Sequence, residues 1–430
     1  PCPARLRLTW QGSSGHTIAK HGSGWPPRVI SAGHDCDRAP RAICYDSPMR
    51  VPCSLLLLTT LLLAPSVMVG QTYVVDKANG PGASFTSIAT AIAAVPNGAV
   101  LLVRPGQYLS FVIDNKSVAV IGGPGVEIYD LSAYLQIRNL SASQHATLHG
   151  LSLVGILGPA AISGTNNQGT LLIDSCNSSQ QVSLTGGRML FDACDDVRIR
   201  NCTFWNASAA PLRGTDSRLS VAQSILLTGF WGAGTSLTNC TADFANAWLG
   251  GSALFPTASP LFLSNSEVRL LGLTTLSVTW LQAGLPPGPV VAGQGTVRVD
   301  PAARLITGGA VAFGSAINHT TVAMPVVSAD TGGANALAHA QMIGPGNGVG
   351  MLLFGLPGLP IGIPGVNDPV LLLAGSESVQ AAGPLTNALS ASYIVPATPP
   401  LLGMRATWQG ASLEAATGLQ ISNAVTYVHY

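Results

Sequence analysis

A short phrase of alternating apolar and polar residues recurs between residues 148 and 268. One copy reads Leu171-Leu-Ile-Asp-Ser-Cys176 and the next reads Val197-Arg-Ile-Arg-Asn-Cys202. The polar residues that precede the Cys or Ser of each copy form a column at steps of 25, 26, 22, 16 and 26 residues: Gly150, Ser175, Asn201, Gln223, Asn239 and Asn265. A strand and a polar corner that repeat every roughly 20–30 residues predict a β-solenoid, although the 16-residue step is short for a full turn.

The alternation also predicts which side chains are buried. Residues two apart in a strand share a face, and the residue two positions before each corner is apolar, which predicts a buried aliphatic ladder of Leu148, Ile173, Ile199, Val221, Leu237 and Leu263. The residue directly before each corner should then face outward: His149, Asp174, Arg200, Ala222, Thr238 and Ser264. Chemistry on the wall of the solenoid is therefore expected in this outward column.

The pattern changes at both ends of the repeat. Near the start, Phe85, Ile88, Ile92 and Val95 fall on one face at helical spacing, with Ser84 as the expected N-cap. After about residue 312 the corners stop. Short apolar segments separated by turns then predict a small antiparallel β-sandwich with strands at 370–374, 392–395, 404–409, 419–422 and 425–428.

Composition supports an all-β protein and excludes some functions. Charged residues make up only 9% of the 430 residues, and there are 49 Gly and 30 Pro, which favours many short strands with tight turns over a long helical protein. Residues 1–70 carry 7 Lys and Arg against 3 Asp and Glu, and residues 71–430 carry 13 against 16. The larger part is mildly acidic without a basic stripe, so no nucleic-acid partner is expected.

A segment from Met49 to Gly70 predicts export. It has one Arg, a short apolar core and small residues near its end, which is typical of a secretory signal peptide and too short for a transmembrane span. Residues 1–48 are interpreted as upstream translated sequence, the alternative being a basic disordered extension. The predicted organisation is 1–48 upstream, 49–70 signal peptide, 71–312 solenoid and 313–430 sandwich. The protein is expected to be secreted or at the cell surface, with no transmembrane segment after signal removal.

The eight cysteines divide between these parts. Four fall before residue 71, and four lie inside the repeat: Cys176, Cys194, Cys202 and Cys240. Export permits disulfides, and four cysteines allow three pairings. The competing interpretation is a column of buried stacked thiols. The absence of a Cys-x-x-Cys motif or a nearby His pair argues against zinc.

The region after the signal peptide resembles a known superfamily. The phrase Phe85-Thr-Ser-Ile88, followed by Ala91-Ile92, Gly98-Ala99 and Val103-Arg-Pro-Gly-Gln-Tyr108, is similar to the entry of right-handed parallel β-helix proteins of the pectin-lyase-like superfamily. The resemblance covers about residues 71–310. It implies a right-handed parallel β-helix with an N-terminal capping helix. It does not imply one function, because the superfamily holds lyases, hydrolases, esterases, adhesins and proteins with no known activity. The segment 419–425 resembles C-terminal β-modules of secreted bacterial proteins.

One region carries the residue types of a catalytic site. The pair Asp195-Asp196 resembles the Asp pair of pectin hydrolases, but the only similar His phrase lies upstream, and Arg198-Ile-Arg200 ends in Arg rather than Lys. A solvated turn is the competing interpretation of the pair. The candidate catalytic residues are His149, Asp174, Asp195, Asp196, Arg198 and Arg200. No cofactor is expected, except Ca²⁺ if the protein is a lyase.

These observations leave two functional hypotheses. The preferred one is a non-catalytic binding or structural role, with polysaccharide or cell-envelope components as partners. The alternative is a polysaccharide lyase or glycoside hydrolase. Under the first hypothesis, Asp174 and Arg200 form an ion pair between adjacent turns. Trp205, Trp231 and Trp248 are expected to fill core or corner positions, the alternative being that they stack on sugars.

Overall fold

The computed structural model describes residues 70–130, 134–154, 160–178, 188–206, 209–229, 234–253, 259–280, 288–330, 335–366, 368–386, 388–395 and 401–430. The predicted upstream segment and all but the last residue of the predicted signal peptide lie outside these ranges, as does Trp231.

Within the described residues there is one α-helix, α1 (Ile88–Ala94). The parallel strands are, in chain order, β1 (Thr72–Val75), β2 (Ala99–Val103), β3 (Gly106–Tyr108), β4 (Val112–Asp114), β5 (Val118–Gly122), β6 (Val126–Tyr129), β7 (Leu135–Arg138), β8 (His145–His149), β9 (Ser152–Val154), β10 (Ile162–Asp174), β11 (Asn177–Ser178), β12 (Met189–Arg200), β13 (Thr203–Asn206), β14 (Leu212–Thr215), β15 (Arg218–Ala222), β16 (Ile225–Thr228), β17 (Thr235–Thr238), β18 (Thr241–Ala245), β19 (Trp248–Ala253), β20 (Leu261–Leu271), β21 (Thr275–Trp280), β22 (Val291–Val299), β23 (Arg304–Ile306) and β24 (Ile317–Thr321).

These strands form a parallel β-solenoid of about eight turns, which confirms the predicted fold class. Each full turn contributes to three walls. Wall 1 contains β4, β7, β14, β17 and the first halves of β10, β12, β20 and β22. Wall 2 contains β1, β2, β5, β8, β15, β18, β24 and the second halves of the same four long strands. Wall 3 contains β3, β6, β9, β11, β13, β16, β19, β21 and β23.

Wall 2 contains the predicted aliphatic ladder on its inner face. Parallel in-register pairing places one apolar residue of each turn directly over the next, and every member is at most 7% exposed: Leu101, Val120, Leu148, Ile173, Ile199, Val221, Phe244, Leu270 and Val299. Burial of one such side chain contributes roughly 1.5–3 kcal/mol. The stacked column therefore supplies much of the driving force for folding.

The predicted corner column was wrong beyond Gln223, because the solenoid has two kinds of corner. Corner 1 joins wall 1 to wall 2, and corner 2 joins wall 2 to wall 3. Both use residues with positive φ: Asn115, Asn139, Asn166, Ala193, Asp216, Asn239 and Asn265 at corner 1, and Gly150, Ser175, Asn201, Gln223, Asn246 and Gly272 at corner 2. Left-handed backbone favours Asn at either corner, so the sequence pattern did not separate them.

This correction removes the short step in the repeat. Gln223 is followed by Asn246, a step of 23 residues, and not by Asn239. Leu237, Thr238, Leu263 and Ser264 accordingly belong to wall 1, where β17 pairs with the first half of β20. Phe244 and Leu270 take the ladder positions that Leu237 and Leu263 were expected to fill.

The Ser residues that follow Asp216, Gln223 and Asn265 at the corners accept hydrogen bonds from the backbone of the neighbouring turn. The amide of Cys202 donates to Oγ of Ser224 at 3.1 Å, and the amide of Cys240 donates to Oγ of Ser266 at 3.0 Å. Cys194 donates in the same way to Ser217. These contacts pair backbone donors that would otherwise be buried without a partner. The four thiols in the described residues are free and buried, as the thiol alternative expected. The single column expected for Cys176, Cys202 and Cys240 was wrong, because Cys176 and Cys202 follow corner 2 whereas Cys240 follows corner 1.

The helix α1 covers the first turn of the solenoid. It buries Ile88, Ala91 and Ile92 against the apolar interior, where the first turn would otherwise expose strand edges and core. The N-cap is Ser87, whose side chain accepts a hydrogen bond from the amide of Thr90. The expected cap at Ser84 was wrong, because Phe85 instead forms a β-bridge with Val75.

The C-terminal strands are antiparallel and form the predicted sandwich. They are β25 (Val326–Ala329), β26 (Leu337–Ile343), β27 (Val349–Gly355), β28 (Pro357–Ile361), β29 (Val370–Leu372), β30 (Ser378–Pro384), β31 (Leu389–Ile394), β32 (Arg405–Glu414) and β33 (Gly418–Val428). One sheet has the order β25-β26-β31, a second has β30-β27-β32-β33, and β28 pairs with β29. The two segments predicted at 419–422 and 425–428 are one continuous strand, β33.

The sandwich packs on the outer face of wall 2. Its core includes Trp408 and Tyr427 and is continuous with Ala222, Ala245 and Leu271 of the solenoid. The solenoid and the sandwich accordingly belong to one compact unit. The part of the outward face of wall 2 that holds His149, Asp174, Asp196, Arg198 and Arg200 is thus covered by protein instead of facing solvent.

Replacing Phe244 with Ala should lower the free energy of unfolding by about 3–5 kcal/mol, because loss of the ring leaves a cavity that the neighbouring ladder side chains cannot fill. Equilibrium urea unfolding measures this loss. Phe262→Ala is the matched control, since Phe262 is 43% exposed on wall 1 and Phe244 is fully buried. Equal losses in the two variants would contradict the ladder.

Candidate functional site

Three of the predicted catalytic residues stack in one outward column of wall 2. The register pairs His149 with Asp174, and Asp174 with Arg200, on three successive turns. All three side chains are buried, with 4% exposure or less, because the sandwich covers them. The predicted neighbour relation is confirmed, but the expected ion pair between Asp174 and Arg200 was wrong. Asp174 instead accepts from Nδ1 of His149 at 3.2 Å.

Arg200 has an unusual environment for a buried cation. Its guanidinium carbon lies 5.8 Å from the centre of the Tyr427 ring. None of its three guanidinium nitrogens has a hydrogen-bond partner. Burial lowers the pKa of Arg200, and the nearby charge of Asp174 opposes that effect. The contact with Tyr427 is a cation–π interaction that couples wall 2 to β33.

Arg198 and Asp196 also lie beneath the sandwich and join it to the solenoid. Nη2 of Arg198 lies 2.8 Å from Oδ2 of Asp196. The same guanidinium donates to Oγ1 of Thr426 and to the carbonyl of Gly358, both at 2.7 Å. Both charged side chains are at most 2% exposed. The donors of Arg198 are thus used by the interface and not by a solvent-accessible site.

A second ionic cluster extends this interface along wall 2. Arg269 donates to Asp243 of the preceding turn at 2.6 Å, and to the carbonyl of Ile421 in β33 at 2.9 Å. Asp368 of the sandwich lies 2.9 Å from Arg269 and 2.6 Å from Arg298. Although burial disfavours its charge, the carboxylates of Asp243 and Asp368 raise the pKa of Arg269.

Asp195 is the one predicted catalytic residue that remains exposed. Strand β12 has four residues between Asp192 of wall 1 and Val197 of wall 2, whereas the next turn has three. Such a bulge re-aims a side chain. Asp195 therefore separates from Asp196: one side chain faces solvent, and the other pairs with Arg198 in the interface.

Asp195 lines a cleft of about 450 Å³ between corner 1 and strand β28, which we call the acidic cleft. Its lining residues are Asp195, Asp216, Ser217, Arg218, Asn239, Thr241, Leu359 and Pro360. Asp216 is held by the amide of Asn239 at 2.9 Å. The cleft therefore presents carboxylates, a guanidinium and an apolar rim to solvent.

A second cleft, of about 530 Å³, lies where corner 2 enters wall 3, and we call it the tryptophan cleft. Its lining residues are Gln223, Ser224, Ile225, Asn246, Ala247, Trp248, Leu273 and Thr275. None of them is charged. Trp248 and Leu273 are 46% and 63% exposed, so the cleft combines an open aromatic surface with side-chain amides.

The indole of Trp248 is fixed in place. Its Nε1 donates to Oγ of Ser277 on the next turn at 2.8 Å. A Cβ built on Gly250 would lie 3.0 Å from that nitrogen, so the ring lies over Gly250 and against the strand. A rigid, half-exposed indole with its polar atom satisfied is a preorganised apolar platform.

Two general observations bear on the possible partners. Among the described residues, no group of three or more His, Cys, Asp and Glu side chains is arranged to hold a metal ion. No helix in the same part of the chain is long and apolar enough to cross a membrane.

Comparisons with known proteins do not name a family. No protein-family model matches the chain, and no curated protein matches it either. Among solved structures, the chain is similar to chitinase ChiW from Paenibacillus sp. str. FPU-7, a bacterial cell-surface-expressed multi-modular enzyme, at 10% identity and a TM-score of 0.15. The match covers 76% of this chain and 24% of that enzyme. A TM-score this low supports no inference about the protein.

Sequence reasoning missed most of the residues that line the two clefts. Asp216, Arg218, Gln223 and Asn246 were not considered as site residues, and Trp248 was expected to fill a core or corner position. A signal was present for Trp248. It follows the corner residue Asn246 by two positions, which is an outward position of wall 3 once the corners are assigned correctly.

Replacing Asp196 with Ala should destabilise the protein by about 3–5 kcal/mol, because it leaves the buried charge of Arg198 without its partner. The adjacent Asp195→Ala is the matched control and should leave stability unchanged, since Asp195 is exposed. Denaturant unfolding of the two variants makes the comparison. A similar effect of both would show that Asp196 is not part of a buried ion pair.

Proposed function

We propose that this protein is an exported, non-catalytic polysaccharide-binding β-solenoid, and that the tryptophan cleft binds the glycan. The observation that carries the proposal is the half-exposed indole of Trp248, fixed by Ser277 beside the amides of Gln223 and Asn246. Sugar rings have apolar C–H faces and polar edges. An aromatic platform flanked by amides complements both.

The burial of the wall 2 residues supports a non-catalytic role. A polysaccharide must reach the reacting groups, and five of the six candidate catalytic side chains are at most 4% exposed under the sandwich. Four of them form ion pairs, His149 with Asp174 and Arg198 with Asp196, and Arg200 lies against the Tyr427 ring of the sandwich. These contacts account for the five residues as part of an interface. The two clefts of the solenoid lie instead at corner 1 and corner 2.

The proposal includes membership of the pectin-lyase-like superfamily and a location outside the cell or at its surface. The parallel solenoid and the helix that covers its first turn agree with the resemblance of residues 71–310. The C-terminal sandwich agrees with the resemblance to β-modules of secreted bacterial proteins. Cell-envelope polysaccharide is then the partner class that such a protein would meet.

Replacing Trp248 with Ala should weaken polysaccharide binding at least about tenfold, because a central, rigid aromatic anchor is removed. Affinity electrophoresis of the chain in gels that contain hydroxyethylcellulose, galactomannan, xylan or polygalacturonate measures the change. Phe262→Ala is the control, because Phe262 has a similar exposure of 43% but lies on wall 1. Undiminished retardation of the Trp248 variant would refute the proposed site.

A hydrolase or lyase remains the second candidate function, and one observation favours it. The acidic cleft places Asp195, Asp216 and Arg218 around one opening, and the two carboxylates differ in environment because Asn239 holds only Asp216. Paired carboxylates in different environments are the residue types of glycoside hydrolysis.

An Asp195→Asn/Asp216→Asn variant tests this second function. The non-catalytic proposal expects no reducing sugar or unsaturated product from the unmodified chain on the same four polysaccharides, with or without Ca²⁺. Product formation that the double variant loses would assign catalysis to the acidic cleft. An Asp216→Asn single variant separates this outcome from a site among the catalytic residues predicted from the sequence, because Asp216 lines the acidic cleft and is not one of them.

A further inference from the structure

The outward face of wall 3 continues the tryptophan cleft along the solenoid. In-register pairing places Trp205 beside Leu227, Leu227 beside Gly250, and Gly250 beside Ser277 on successive turns. A neighbouring outward column contains Thr203, Ile225 and Trp248. Wall 3 therefore presents an outer face whose positions repeat once per turn along the solenoid axis.

Two tryptophans of wall 3, Trp205 and Trp248, meet at the same column. Trp205 belongs to that column directly. Trp248 belongs to the neighbouring column, but its ring lies over Gly250, which is two turns from Trp205 in the first column. Strands in a sheet are about 4.7–4.9 Å apart, so two turns separate the indoles by roughly 9.5 Å along the axis. That separation is close to the length of one disaccharide unit in an extended chain.

The side chains between the indoles complete an apolar track. Leu227 and Ile225 lie on the intervening turn and are partly exposed, as is Trp205. Contiguous exposed apolar surface on a soluble protein marks a ligand or partner surface. A track with aromatic rings at regular spacing suits a polymer with the same repeat.

The track contains no charge among the described residues. From Ser152 to Ser277, the outward residues of wall 3 are Ser, Val, Asn, Thr, Trp, Ile, Leu and Gly. Glu127 and Arg304 carry the nearest charges of this wall and lie on strands beyond the two ends. Recognition of a uronate or a sulfated glycan uses cationic groups, and this surface has none.

We propose that an extended, uncharged polysaccharide chain lies along the solenoid axis on wall 3 and stacks on both Trp248 and Trp205. The inference rests on the proposed function, because the tryptophan cleft forms one end of the track. It adds a second stacking position, a direction for the chain and a class of ligand.

The test uses oligosaccharides of defined length and matched charged and uncharged polymers. Cello-, manno- and xylo-oligosaccharides of two to six sugars are titrated into the chain by calorimetry. Hydroxyethylcellulose and carboxymethylcellulose, which share a backbone and differ in charge, are compared by affinity electrophoresis. The variants are Trp248→Ala, Trp205→Ala and Thr203→Glu. Thr203 is exposed beside Trp205, so a charge placed there perturbs the track without disturbing the core.

The expected results depend on chain length. Affinity should rise between two and four sugars, and Trp248→Ala should weaken every length. Trp205→Ala and Thr203→Glu should weaken only oligomers of four or more sugars, by about tenfold. The unfolding transition of the Thr203→Glu variant should be unchanged, because Thr203 is exposed. Hydroxyethylcellulose should bind more tightly than carboxymethylcellulose.

Other outcomes separate this inference from the proposed function. If Trp248→Ala abolishes binding while affinity is flat beyond two sugars and Trp205→Ala and Thr203→Glu have no effect, the cleft stands and the track is refuted. If carboxymethylcellulose binds more tightly than hydroxyethylcellulose and Trp248→Ala removes this binding, only the claim that the ligand is uncharged is refuted. Binding that Trp248→Ala leaves intact, or no binding to any probe, refutes both.

Discussion

The burial of charged side chains between wall 2 and the C-terminal sandwich is the constraint on which the rest of the structure depends. A charged side chain that is removed from water needs an opposite charge or hydrogen-bonding groups close to it, because the free-energy cost of its desolvation is otherwise not offset. Arg198 and Arg269 meet this requirement with a carboxylate of the solenoid on one side and groups of the sandwich on the other. Strand β33 therefore crosses several turns, with Ile421 at Arg269, Ala424 at Ser220 and Thr426 at Arg198. These contacts fix where the sandwich sits on the solenoid.

This arrangement determines where function can reside. The outward face of wall 2 holds many ionisable residues, yet His149, Asp174, Asp196, Arg198, Arg200 and Arg269 are closed to solvent there. The sandwich leaves open the acidic cleft at corner 1, the tryptophan cleft at corner 2 and the outer face of wall 3. A glycan-binding role suits such a molecule, since rigid stacked turns hold aromatic and amide groups at regular spacing without a moving part.

The sequence predicted the fold better than the site. Apolar residues at every second position and repeated polar corners indicated stacked parallel strands. Each turn has one apolar face, and stacking the turns buries all of these faces in one continuous core. The same signal could not distinguish corner 1 from corner 2, since Asn239 and Asn246 satisfy the same left-handed backbone. The error mattered for function. With Asn246 assigned to corner 2, Trp248 is two positions beyond a corner and faces outward.

The sequence alone determined the solenoid, its capping helix, the sandwich and the column that holds His149, Asp174 and Arg200. Each of these follows from the spacing of apolar and polar residues along the chain, because the geometry of strands and helices decides which residues share a face. Only the tertiary structure decided that the column is buried, that Asp195 and Asp196 point to different environments, and that Trp248 is open. The first two outcomes depend on the sandwich lying over residues more than 200 positions earlier in the chain, as Thr426 does over Arg198. Long-range packing of this kind leaves no periodic signal in the sequence. The spacing of apolar residues within the solenoid and within the sandwich is explained by the strands of each part alone.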